Sequence, residues 1–481
     1  NTQMNQEERR EKRKKDTQSA IIVVAVFFIV LAVLIGGIVF AIHKFVKPGV
    51  NKPEKNTESV TTEATEEPET TPVTEVSDPL MDQAMQIAAG MTLEQKVAQM
   101  FMITPDALTG VDGATMAGDS TKTAYTQYPV GGLIYMAKNL TGTDQTTQML
   151  TNMKSYSQEI VGIPVFLGVD EEGGTVARIA SNSAFGVTDV GNMSDVGATG
   201  DSQNAYNAGS TIGTYLNTLG FNMDFAPVAD VLTNPDNTVI KDRSFGSDSQ
   251  LVADMVCAEM QGLNEHQILS VVKHFPGQGS SNGDTHQGSV DIDSSISKLR
   301  DLDFVPFKAG IDAGAEFVMV SHISVSRVTE TKEPASMSEL IMKTILREEL
   351  GFSGIVITDA FDMASITDNY TPGEAALQSF MAGADIILMP NDLTQAYQAI
   401  LNAVNSKKIT QSRLDESVIR ILTTKFKHGI LTQEDLTVWE QPTATPSVTP
   451  AVTASPKAKK GKKNRESAKT IKKSTKNKSK K

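Results

Sequence analysis

The stretch ILSVVKHFPGQGSSNGDTHQG, residues 268–288, starts as a short run of Ile, Leu and Val and then breaks into glycine, proline and ionisable side chains. β-Branched residues favour a buried strand, and Gly and Pro end it. Lys273 and His274 stand where the apolar run stops, and Asp284 and His286 lie in the broken segment. A buried core has no use for these groups, and a solvated surface has none for the glycines. A strand that ends in charged residues and opens into a loop is the repeating unit of an α/β barrel, where chemistry gathers at the C-terminal strand ends.

Seven more runs have the same strand character. They are VAQMFMI (97–103), GGLIYM (131–136), PVFLGVD (164–170), MDFAPVADV (223–231), AEFVMVSHI (315–323), GIVITDAF (354–361) and ADIILMP (384–390). Helical patterns separate them, such as AYNAGSTIGTYLNTLG (205–220) and SELIMKTILREELG (338–351), with Gly220 and Gly351 where C-terminal caps belong. Strands alternating with helices predict a parallel sheet, and eight units over residues 79–440 predict an α/β (β/α)8 TIM-type barrel. On this pattern alone a doubly wound open sheet is the alternative.

Polar residues fall at the strand ends. Asp170 opens DEEGGTVARI, and Asp230 precedes Arg243 in DNTVIKDRSFG. Lys273 with His274, then His322, then Asp359 in VITDAFDM, end the next three strands. One such charge is ordinarily a cap or an ion pair. Five strands ending this way on one rim argue for a site. Two other readings fail. In GQGSSNG the third glycine of a dinucleotide fingerprint is replaced by Asn282. The six histidines show no metal spacing, and alternation along a strand sends Asp170 and Glu171 to opposite faces. The single cysteine, Cys257, excludes an intramolecular disulfide and a cysteine-ligated zinc cluster. No metal and no cofactor are expected.

The chain has 481 residues, 40% of them hydrophobic, and a formal net charge of -13. Residues 457–481 carry 13 Lys or Arg against one Glu, net +12, which leaves -25 on the rest. Residues 21–42 contain no polar side chain. At ~1.5 Å per residue they would span roughly 33 Å, enough for a bilayer core of about 30 Å and too long for a signal-peptide core. Six Lys or Arg between Arg9 and Lys15 precede this run, which favours an inside N-terminus. The expected organisation is a cytoplasmic basic leader (1–18), a transmembrane helix (19–43), a disordered Thr/Glu/Pro linker (44–78), the barrel (79–440) and a disordered tail (441–481), Pro/Thr-rich and then Lys-rich. The barrel would lie outside the cell on a single-pass membrane anchor. Anionic cell-wall polymers or lipid headgroups suit the lysine tail, and nucleic acid is not expected because the tail lacks interleaved aromatics.

The motifs DEEGGTVAR, FAPVADV, NPDNTVIKDRSF, KHFPGQGSSNGDTH and TDAFDM stand in this order. In these residues the chain resembles glycoside hydrolase family 3, in particular its β-N-acetylhexosaminidase branch, over most of 79–430. The resemblance implies a (β/α)8 barrel and a carbohydrate substrate. It implies Asp359 as nucleophile, His286 as acid/base and Asp284 as the group that orients His286. It implies Asp170, Arg178, Arg243, Lys273 and His274 as contacts to sugar hydroxyls in an exo-acting pocket. Retention through a glycosyl-enzyme follows, with terminal β-linked N-acetylglucosamine removed from peptidoglycan fragments. Gln278 stands where many members have histidine, Thr285 replaces serine, Glu171 replaces glutamine, and a proline usual after the loop histidine is absent. A non-catalytic sugar-binding module would lack Asp359 or His286. Water and phosphate both stand as acceptors. The loop glycines are expected to give mobility for closure over the sugar. Lys273 and His274 can face one ligand only if the backbone bends between them.

Overall fold

The structure is a computed structural model that describes residues 78–436. The expected leader, membrane helix and tail, and the linker before Asp78, lie outside the described residues. Among the described residues no helix is long and apolar enough to cross a membrane.

Ten strands follow one another: β1 (Phe101–Ile103), β2 (Gly132–Tyr135), β3 (Phe166–Val169), β4 (Glu171–Gly173), β5 (Val176–Ala177), β6 (Met223–Asp224), β7 (Leu269–Phe275), β8 (Phe317–Val320), β9 (Ile355–Thr358) and β10 (Ile387–Leu388). Eight of them form one sheet in the order β10-β1-β2-β3-β6-β7-β8-β9, while β4 and β5 form a separate pair. Every neighbouring pair in the large sheet is parallel. Its two edge strands meet through a single parallel bridge, Ile357 to Ile386. The result is a nearly closed barrel with helices outside it, and the open doubly wound sheet is excluded. Each of the eight expected runs supplies one barrel strand. The first is shorter than expected: Leu93–Gln99 is helical, and only Phe101–Ile103 is strand. Thr92 and Gln95 form a reciprocal capping box that starts a helix ahead of the apolar run and carries it through Gln99.

Period-two alternation divides the strands into two cores. Phe166, Met223, Phe225, Leu269, Val271, Phe317, Met319, Ile355 and Ile357 fill the barrel interior. Leu167, Val169, Val272, Val318, Val320 and Val356 face the helices instead. Carrying the same alternation past the last apolar residue puts Asp170, Lys273 and Asp359 on the inward series. The helices follow the same logic. Ser202–Leu219 ends at Gly220 in a left-handed cap, φ 99°. Leu340–Glu349 is wound with π-type turns, and Gly351, just beyond it, has φ 75°.

The helix Gln411–Lys427 closes the barrel floor. Its Ile421 joins the interior cluster. Lys425 is fully buried, with Nζ 3.1 Å from both Gln99 Oε1 and the Gly131 carbonyl and 4.7 Å from the Phe166 ring centroid. Burial pushes its pKa down to about 7.

Candidate active site

The mouth of the barrel opens into a cavity of about 360 Å³, and Asp170, Glu172, Arg178, Arg243, Lys273, His274, Gln278, His286 and Asp359 all line it. Seven of the eight residues to which the resemblance gives a role are in this lining, whereas the strand-end residues Asp230 and His322 are not. The eighth, Asp284, reaches it through His286.

Asp170 follows β3 and starts the β4–β5 hairpin. Its Oδ1 accepts from Lys273 Nζ at 3.0 Å, and its Oδ2 lies 3.7 Å from Arg178 Nη2. Glu171 points away from the cavity, as alternation requires. It is fully buried and accepts from the N–H groups of Arg178, Ile179 and Ala180 at 2.6, 2.8 and 2.8 Å. The Tyr215 hydroxyl donates to it at 2.9 Å. Four donors and no acceptor demand explain a carboxylate here in place of an amide, whose NH2 would oppose two of them. Burial still holds its pKa above the usual range despite those donors. The clamp fixes the returning strand and so aims Arg178.

Glu172 turns back to the cavity side and was missed in the sequence. Its signal was the same alternation that separates Asp170 from Glu171. Lys273 Nζ lies 2.6 Å from its Oε1, and Arg243 grips it with two bonds of 2.7 and 2.8 Å. Burial opposes ionisation of Glu172, but Arg243 and Lys273 outweigh it and hold the carboxyl far below the usual range. The same pairing raises Lys273 and Arg243 against their own burial.

Lys273 and His274 both reach this one cavity. The backbone departs from a regular strand here as expected: pairing with β8 shifts between Val272 and Phe275, and the Lys273–His274 peptide is cis. His274 Nδ1 lies 2.7 Å from Asp230 Oδ2 and its Nε2 lies 3.3 Å from Arg243 Nη2. The carboxylate accepts and the guanidinium donates, so Nδ1 carries the proton. Asp230 Oδ1 also accepts the Gln278 N–H at 2.6 Å, joining this histidine to the base of the loop 277–289. Asp230 was read as a strand end without a task, because its partners lie 44 and 48 residues away.

The loop has a fixed half and an exposed half. Gly277 has φ 116°, and a Cβ there would stand 2.8 Å from Asp303; a Cβ on Gly279 would stand 1.8 Å from the Val231 carbonyl oxygen. These two glycines permit close packing at the base of the loop. Residues 286 and 287 are exposed instead. Asp284 Oδ1 accepts from His286 Nδ1 at 2.8 Å and from its backbone N–H at 2.9 Å. Burial would raise Asp284, but these two bonds hold it below the ordinary value. His286 Nε2 has no hydrogen-bond partner among the described residues. The loop is tied to the segment after β9, because the Thr285 carbonyl accepts the Ser365 N–H at 3.1 Å.

Asp359 lies on that segment. Its Oδ1 accepts the Ala360 N–H at 2.8 Å, and Oδ2 accepts no hydrogen bond among the described residues. Burial alone would raise its pKa, yet its polar surroundings, the Ala360 N–H among them, hold it below the usual carboxylate value. An ionised carboxylate with one free oxygen thus shares a cavity with a histidine whose free nitrogen is at the rim. No cluster of His, Cys, Asp and Glu among the described residues suits a metal ion.

A parallel barrel that gathers ionised side chains at its mouth is an α/β barrel with a polar cavity at the C-terminal strand ends. The chain belongs to glycosyl hydrolase family 3: the family model for the "Glycosyl hydrolase family 3 N terminal domain" matches residues 92–424. The chain is 36% identical over 325 residues to Beta-hexosaminidase A of Pseudoalteromonas piscicida, covering 63% of this chain and 54% of that protein. It is 35% identical over 356 residues to Beta-hexosaminidase LpqI of Mycobacterium tuberculosis, covering 70% and 84%. The solved structure of a glycoside hydrolase family 3 beta-N-acetylglucosaminidase from Paenibacillus sp. str. FPU-7 superposes with a TM-score of 0.66 at 35% identity, over 71% of this chain and 63% of that one. The chain therefore spans little more than half the length of the first of these relatives.

Proposed function

We propose that the protein is an exo-acting, retaining β-N-acetylhexosaminidase that removes terminal β-linked N-acetylglucosamine. The observation that carries this reading is the meeting, in one cavity, of the ionised Asp359 with the His286–Asp284 pair. In the first step Asp359 Oδ2 attacks the anomeric carbon and forms a glycosyl-enzyme, while His286 Nε2–H gives its proton to the departing oxygen. In the second, the freed Nε2 takes a proton from water, whose oxygen attacks the same carbon and releases Asp359. The sugar returns to its original anomer after two inversions. Asp284 holds Nδ1–H through both steps and stabilises the charged ring. Asp170, Arg178, Arg243, Lys273 and His274 grip the sugar hydroxyls with charge-assisted hydrogen bonds. The names of the relatives support an N-acetylhexosamine as that sugar.

A release assay over chromogenic β-glycosides tests the substrate class. N-acetylglucosaminide is expected to turn over roughly 100-fold faster in kcat/KM than glucoside or xyloside, a gap that lost hydrogen bonds in a buried pocket can supply. Equal rates on all three would overturn the assignment. Running the same assay with phosphate distinguishes free sugar from sugar 1-phosphate as product.

The reading extends to the compartment. Residues 19–43 would anchor the enzyme in the cell membrane, 79–440 would work outside the cell on peptidoglycan fragments, and the Lys-rich end of 441–481 would meet anionic wall polymers. The uncharged run 21–42 with its basic leader motivates this. Protease added to intact cells is expected to release active enzyme by cutting the Thr/Glu/Pro linker within 44–78. Activity that stays wholly protected until the cells are lysed would refute the orientation.

A further inference from the structure

His322, at the end of β8, has no task in the mechanism above. It is 1% exposed and lies outside the cavity lining. Alternation along β8 explains this: Phe317 and Met319 face the interior, so His322 falls on the other series with Val318 and Val320.

The partners of the ring define its state. Nε2 lies 2.9 Å from the Ala360 carbonyl oxygen. A carbonyl only accepts, so Nε2 carries the proton. Nδ1 lies 2.8 Å from Ser336 Oγ, and that hydroxyl donates to it. Ser336 is itself held, because its N–H donates to the Ser321 carbonyl at 2.9 Å and its carbonyl accepts from Ser379 Oγ at 2.6 Å. Both serines are fully buried. Burial lowers the pKa of His322 against the opposing pull of Asp359 and the Ala360 carbonyl. The Phe361 ring covers the imidazole, with centroids 5.2 Å apart.

Ala360 connects this buried chain to the reacting carboxylate. Its carbonyl accepts from His322, and its own N–H donates to Asp359 Oδ1. We propose that His322 is a positioning residue for Asp359: by holding the Ala360 carbonyl it keeps the Ala360 N–H on Oδ1 and presents Oδ2 as the attacking oxygen. This rests on the reading of Asp359 as nucleophile. A neutral ring suits the role, because a cation behind the carboxylate would draw on the charge that must attack.

Two substitutions separate positioning from packing. The amide nitrogen of Gln reaches about as far as Nε2, and that of Asn about as far as Nδ1. His322→Gln therefore keeps the donor to Ala360, whereas His322→Asn keeps only the contact to Ser336. Expected kcat is within about 5-fold of the wild type for His322→Gln and lower by about 50-fold for His322→Asn, with KM within about 3-fold in both. Equal kcat in the two variants overturns the proposal. If His322→Asn does not fold, ring nitrogen NMR of the wild-type enzyme decides, with the His322 signal identified by its loss in His322→Gln. A neutral ring protonated on Nε2 from about pH 6 to 8 is expected, and a charged ring or the Nδ1–H form refutes it. Asp359→Asn is measured alongside. If it is inactive while the two His322 variants match, the positioning proposal alone fails; if it turns over normally, the nucleophile assignment fails.

Discussion

Asp359→Asn is expected to lower kcat on a β-N-acetylglucosaminide by roughly 10³-fold or more, the scale on which loss of a covalent nucleophile acts. The substitution keeps the shape of the side chain and an oxygen to accept the Ala360 N–H at its 2.8 Å distance. It removes the charge that the surrounding donors favour and that must attack carbon. KM should change little, because under the proposed function the sugar hydroxyls would be gripped from other strands. A second arm makes the result specific. In Asp359→Ala, azide can enter the vacated space and attack the anomeric carbon in a single inversion. Turnover restored by azide, with a glycosyl azide of inverted anomer as product, is the expected outcome. Near-wild-type turnover by pure Asp359→Asn would remove Asp359 from the role.

His286→Ala should divide substrates by their leaving groups. A proton donor contributes about 10²–10⁴-fold when the departing oxygen is a poor leaving group and little when it is a good one. Natural disaccharides should thus lose that much in kcat/KM, while activated aryl glycosides lose about tenfold or less. Asp284→Ala should repeat the pattern in weaker form, because it acts through the 2.8 Å bond to Nδ1. The measurement is kcat/KM across aryl glycosides of graded leaving-group pKa. Equal losses for good and poor leaving groups would reduce His286 to a binding or loop-shaping residue. The histidine side chain is 65% exposed, so its replacement should leave thermal stability almost unchanged, and a lost rate cannot be charged to unfolding.

Alternation along strands made much of this site legible. Phe166, Leu269 and Ile355 set the inward series, and counting on in twos reaches Asp170, Lys273 and Asp359 without any knowledge of contacts. The same count reaches Glu172. His274 defeats it, because the backbone is irregular between Val272 and Phe275 and the side chain joins Lys273 at the cavity. Arg178 and Arg243 sit on a hairpin and a loop, where no period applies, and only the resemblance gave them a role. The bond from Asp230 to His274 crosses 44 residues, a distance at which local pattern carries no information. At Gly277 and Gly279 the closeness of Asp303 and of the Val231 carbonyl requires glycine, a tertiary reason that no local pattern carries. Residues 97–100 show the opposite conflict, in which a cap at Thr92 overrides apolar strand character.

The charges around the cavity are unevenly distributed in a way that matters for the reaction. On the side that would hold the sugar hydroxyls, Asp170, Glu172 and Asp230 stand with Arg178, Arg243 and Lys273, three charges against three. That wall is neutral as a whole, and a neutral sugar meets it without attraction or repulsion at long range. The wall after β9 carries Asp359, and no lysine or arginine from that segment lines the cavity. Negative potential is therefore concentrated on one side of the bound ring. A sugar in its ground state gains little from it, whereas an anomeric carbon acquiring positive charge as its bond breaks gains a great deal. Under the proposed function the two walls would divide the work between grip and acceleration, so that affinity for the substrate and stabilisation of the oxocarbenium-like state could be varied independently.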